Sequence, residues 1–142
     1  MATRSTIALE FADGTVGQVY CHWDGYLAHN GKMLQEHYSD PFKLRDLIDL
    51  GDLSTLAIHI GSKHDFDTQV PYECTFYGRD RGETDTKARY FRHFDEYLTE
   101  GTLEDFNYIL RTDGNWYVRE YDSEPFVLLT EAIKRDRVGL TI

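Results

Sequence analysis

Hydrophobic and polar positions alternate from the start of the chain: Ile7, Leu9 and Phe11 are interleaved with Ala8 and Glu10. That period of two marks a half-buried strand. Asp13-Gly14 follows, and glycine's tolerance of positive φ suits a tight reversal. Val16 to Trp23 then returns as a second strand. Read as a two-residue turn, Asp13-Gly14 sets Phe11 opposite Val16, Leu9 opposite Gln18 and Ile7 opposite Tyr20. Tyr20 and His22 then share the Ile7 face, and Cys21 and Trp23 point the other way. Both faces carry large apolar groups, which predicts a central strand.

The period lengthens over 30–38, where Met33, Leu34, His37 and Tyr38 fall at helical spacing behind Asn30 as an N-cap. Asp40-Pro41 opens a helix over 41–50, since a proline at the first position loses no hydrogen bond. Leu44, Leu47 and Ile48 line one side of it, Gly51 ends it, and Asp52 caps a short helical turn through Leu53 and Leu56. These three pieces predict a helical layer on one sheet face. Ile58 to Asp67 has no clean period and reads as loop. Pro71 precedes a strand over 72–77, and 87–92 reads as a strand followed by a short helix through Phe94, Tyr97 and Leu98.

Thr112-Asp113-Gly114 separates two alternating runs, 106–111 and 115–121, and predicts a hairpin with Trp116 opposite Arg111 in cation–π contact. Ser123-Glu124-Pro125 opens a last helix over 124–135, with Lys134, Arg135 and Arg137 at the negative end of its dipole. Hairpins at both ends with helices between them predict one α+β domain over 1–142, built on a mostly antiparallel sheet including 5–11 and 16–23.

The length, 142 residues, suits a single core. The net charge of −10 repels phosphate backbones and anionic lipid, so neither direct nucleic-acid binding nor a membrane role is expected. No apolar run approaches the roughly 20 residues of a membrane span, and the cytoplasm is the expected compartment. Cys21 and Cys74 fall in apolar runs, which predicts reduced, buried thiols.

Two stretches concentrate chemistry. Tyr20-Cys21-His22-Trp23-Asp24-Gly25-Tyr26 and Thr75-Phe76-Tyr77-Gly78-Arg79-Asp80-Arg81-Gly82 share one design: apolar strand, aromatic ring, glycine turn, charge. With Ala2 to Ser5 and Lys63-His64-Asp65-Phe66-Asp67, and with the second stretch taken on to Glu83, they give the chain a resemblance to a family of small uncharacterised accessory proteins of tailed bacteriophages. The resemblance implies a product of host takeover or counter-defence, acting in the host cytoplasm, rather than a virion component. It carries no catalytic residue with it.

Three classes of chemistry compete. His22, Asp24 and His64 can be drawn into a metal site, with His29, His59, Asp65 and Asp67 as further donors, and this would make a metal-assisted phosphodiester hydrolase. Their spacing matches no zinc or calcium motif. Cys21-His22 is no catalytic pair, because strand neighbours face opposite ways. Glu96, Glu100, Glu104 and Asp105 with Asp46, Asp49 and Asp52 would form a DNA-mimicking ridge if they shared one surface; a solvated acidic face is the ordinary reading. Binding without catalysis uses the residues best. Trp23, Tyr26 and Tyr77 supply rings for stacking, His22 and Asp24 flank them, and Arg79 and Arg81 form a fork for phosphate or carboxylate. The expected partner is a host protein or a small nucleotide-like ligand, without a cofactor, and self-association across a symmetric interface is expected of such proteins. Arg79 and Arg81, as loop residues, are expected to be removable together without cost to the fold.

Overall fold

The computed structural model describes residues 2–121 and 125–141, with side chains as far as Asp136. The protein is an α+β fold on one mixed, mostly antiparallel sheet. Strands β1 (Ser5–Glu10) and β2 (Val16–Cys21) pair antiparallel, as do β6 (Phe106–Leu110) and β7 (Trp116–Glu120). The two hairpins join through a parallel pairing of β1 with β6. Outside them lie β3 (Leu53–Thr55), β4 (Thr75–Phe76) and β8 (Val127–Leu128), in the order β4-β3-β2-β1-β6-β7-β8. β5 (Arg89–Phe91) runs antiparallel to the start of β2, whose end pairs parallel with β3.

Both hairpin registers differ by one residue from the two-residue turn. Phe11 N donates to Thr15 O and Gly14 N to Phe11 O, at 2.8 and 2.9 Å, so the loop holds three residues and Gly14 sits at φ +91°. Arg111, Asn115 and Gly114 repeat this arrangement. Three-residue loops of this kind place a left-handed glycine last. Ile7 therefore lies opposite Val19, and Leu110 opposite Trp116. A one-residue shift exchanges faces. Cys21, not Tyr20, joins Ile7 and Leu9, and the Arg111 guanidinium stacks on Phe94 at 3.7 Å rather than on Trp116.

One face of the sheet buries Ile7, Leu9, Val19, Leu53, Phe76 and Tyr108 against α1 (Lys32–His37), α2 (Pro41–Asp49) and α5 (Leu129–Thr141). The Asp40 carboxylate accepts from Phe42 N at 2.9 Å, and Leu44, Leu47 and Ile48 point inward as their spacing predicts. The other face carries a smaller cluster, Ala8, Val16, Phe91, Tyr97 and Ile109, covered by α4 (Phe94–Glu100).

Several elements depart from the sequence reading. Residues 27–31 form a π-helical turn ahead of α1, and Asn30 is buried inside it rather than capping a helix. Leu53–Thr55 is a strand, because Asp52 uses its own amide on Thr86 O and its carboxylate on Tyr20 N instead of capping a turn. The strand expected over 72–77 narrows to Thr75–Phe76, and Tyr77 opens a short helix, α3 (Tyr77–Arg81). The last helix begins at Leu129, after β8; the expected start at Ser123 and Glu124 lies outside the described residues. Since α5 runs to Thr141, Lys134 and Arg135 are not in its last turn, and the Arg137 side chain lies outside the described residues.

Candidate functional site

β2 and β4 flank β3, so the two chemistry-rich stretches finish side by side, at the end of the sheet opposite the hairpin turns. His22 N and Trp23 N extend the contact to β3, donating to Leu53 O and Ser54 O at 3.1 and 3.0 Å. Cys21, Leu53 and Phe76 point into the main core. Alternation along each strand then puts Tyr20 and His22, Asp52 and Ser54, and Thr75 and Tyr77 on the other face. The α4 cluster stops short of this end, which leaves the rings of Tyr20, His22 and Tyr77 part-exposed, while Ser54 and Thr75 between them are buried.

The first stretch is held from beneath. Tyr20 Oη meets His22 Nδ1 at 2.7 Å, and the His22 ring stands edge-on to Trp23, 4.7 Å between centroids. Asp24 serves the turn: it adopts φ +57°, and its carbonyl accepts from Asn30 N. Gly25 is required by close approach, since a Cβ there would lie 2.8 Å from Ser5 Cβ and from Thr3 O. Asn30 Nδ2 reaches Ser5 Oγ, Cys21 Sγ and Trp23 O at 3.2, 3.5 and 3.3 Å, and its Oδ1 meets His29 Nδ1. This buried knot presents Trp23 and Tyr26 outward, 43% and 42% exposed. Burial pushes the Cys21 thiol up to about 12, so it stays protonated and unreactive.

In the second stretch the two arginines have separate fates. Arg79 is a clamp. Nε and Nη2 grip the Asp80 carboxylate at 2.9 and 3.1 Å, Nη1 donates to Ile60 O and Gly61 O, and Nη2 also to Cys74 O. All five guanidinium donors are thus engaged, and the cation lies 4.6 Å over the Phe76 ring. Asp80 is fully buried and also accepts from His64 N and Phe76 N. Burial pushes its carboxyl up, but Arg79 and the two amides outweigh this and hold it below the usual carboxylate range. The expectation that Arg79 is a removable loop residue is therefore corrected. Arg81 differs: its guanidinium lies 4.3 Å from the Phe66 ring centre and 5.1 Å from that of Tyr77, pairs with Glu83, and is half-exposed.

Burial raises the phenol of Tyr20, to about 12, and also that of Tyr77, so both remain hydrogen-bonding hydroxyls at neutral pH. His22, Asp24 and His64 do not converge. The His64 ring spends Nδ1 on Ser62 O and Nε2 on Thr75 Oγ1, and among the described residues no group of three His, Cys, Asp or Glu is placed to hold a metal ion. Asp46 and Asp49 ride α2 on one sheet face, whereas Glu96 and Glu100 ride α4 on the other, so these acids form no single ridge.

Sequence reasoning missed Tyr20, Ser54 and Phe66 as members of this face. Phe66 had a signal: it is the one large apolar side chain in the charged run 63–67, and such a ring seeks another ring, here Tyr77 at 5.5 Å. Among the described residues no helix is long and apolar enough to cross a membrane. Comparison with protein-family models, curated proteins and solved structures finds no match to this chain.

Proposed function

We propose that the protein is a non-enzymatic binding protein of bacteriophage origin, which blocks or sequesters a host component in the host cytoplasm. The phage origin follows the resemblance of the sequence stretches. The binding role is supported by one observation above all: Arg81 stacked against Phe66 and Tyr77, on a part-exposed sheet face shared with Tyr20 and His22 and bordered by exposed Trp23. Rings backed by a rigid sheet offer contact area at little entropic cost, and a stacked guanidinium adds a planar, charge-bearing surface. A flat ring of a nucleotide-like signal suits this face, as does an aromatic or arginine side chain of a host protein. Arg79 is withdrawn from the binding set because the fold consumes it, and Asp24 because it makes the turn. The hydrolase reading lacks a metal-binding group among the described residues, so binding is preferred.

The test is affinity capture from infected host lysate, with nucleotide extraction from the purified protein in parallel. Arg81→Ala combined with Trp23→Ala removes only exposed side chains and is expected to abolish capture while leaving the melting temperature within a few degrees. Undiminished capture by that folded variant would assign the binding role to another surface.

A further inference from the structure

We propose that the cleft between α4 and the β6–β7 hairpin is a second binding site, for a small organic anion with an apolar body and a carboxylate or phosphate-monoester head. The cleft encloses about 640 Å³, within the range of small-molecule sites. Phe94, Leu98, Leu103 and Phe126 form its apolar walls, and among the described lining residues the only charges are the cations Arg111 and Arg119. That is an unusual lining for a chain of net charge −10.

Among the described residues, one guanidinium of the cleft wall keeps a donor with nothing to bind. Arg111 is fixed from two sides. Nε and Nη2 each donate to a Glu10 carboxylate oxygen at 3.1 Å, and the guanidinium plane lies 3.7 Å from the Phe94 ring centre. Among the described residues, Nη1 is left without a partner. Arg119 donates from Nη1 to Leu98 O and Thr102 Oγ1, which holds its charge at the end of α4 beside the cleft. A site built to hydrogen-bond a ligand leaves its donors unpaired when empty. A preorganised arginine over an aromatic wall is chemistry for an anionic oxygen attached to an apolar body.

The test titrates the intact protein with three probes, 4-methylbenzoate, phenyl phosphate and neutral benzyl alcohol, following the methyl resonances of Leu98 and Leu103. At least one anion is expected to bind more than about tenfold tighter than the alcohol, and which anion does so decides the headgroup. Arg111→Lys keeps the charge beside Glu10 but loses the planar fork, and is expected to weaken the anion about tenfold. Equal binding of the alcohol, no binding of either anion, or full anion affinity in folded Arg111→Lys would each overturn the proposal. Because the cleft shares no residue with the Tyr20–Tyr77 face, loss of one site leaves the other testable.

Discussion

At the scale of single residues, the arginine pair shows how the same side chain serves fold or surface according to its neighbours. Arg79 and Arg81 are two apart in α3, but only Arg79 has a buried carboxylate within reach. Removing one partner of a buried ion pair leaves the other uncompensated. Arg79→Ala is therefore expected to destabilise the protein by about 3 kcal/mol, at the lower end of that class because two amides still serve Asp80. The pH dependence carries the same sign. Asp80 is held below its unfolded value, so its contribution is complete above about pH 4 and is lost as pH falls through the folded value. Urea unfolding from pH 6 to pH 2 should show that loss in the wild type and a flatter profile in Asp80→Asn. Wild-type-like stability in Arg79→Ala would contradict the clamp.

At the scale of elements, much was legible because it is local. Both Asp-Gly reversals, the Asp40-Pro41 helix start and the strand-then-helix order over 87–100 are written in adjacent residues, and the structure has all of them. What failed needed information from elsewhere in the chain. The hairpin registers slipped by one because an Asp-Gly pair serves a two- or a three-residue loop, and only the pairing of Phe11 with Thr15 decides between them. β3 was hidden because Asp52 reads as a helix cap, whereas its actual partner, Tyr20 N, is 32 positions away. The loops themselves give a sharp expectation. Gly14 and Gly114 sit at φ +91° and +84°, and an added Cβ would meet nothing within 4 Å. Gly14→Ala and Gly114→Ala should thus each cost only the left-handed backbone penalty, about 1–2 kcal/mol, measured by thermal unfolding. A cost far above that would mean these loops pack against something.

Across the whole molecule, the sequence supports the fold class but cannot supply the parallel seam between β1 and β6, which joins residues about a hundred positions apart and unites the two hairpins into one sheet. That seam and the insertion of β3 between β2 and β4 create the candidate face, so the site was legible as two stretches but not as one surface. The charge of the molecule then offers a way to separate the two kinds of occupant. With 25 acidic against 15 basic residues, the long-range field repels anions and attracts cations. On the face itself Arg81 is already paired with Glu83, so the local charge does not reverse that field. Raising salt from about 20 to about 200 mM shortens the screening length from roughly 20 to roughly 7 Å. A multiply charged nucleotide-like ligand should bind the face more tightly across that range, because repulsion is screened while stacking is untouched. A basic host protein should instead lose association rate over the same range. Stopped-flow measurement on the captured partner, using Trp23 fluorescence, reads the sign directly. A nucleotide whose binding weakens steeply with salt would show that cations other than Arg81 dominate its site, and would move that ligand away from the Tyr20–Tyr77 face.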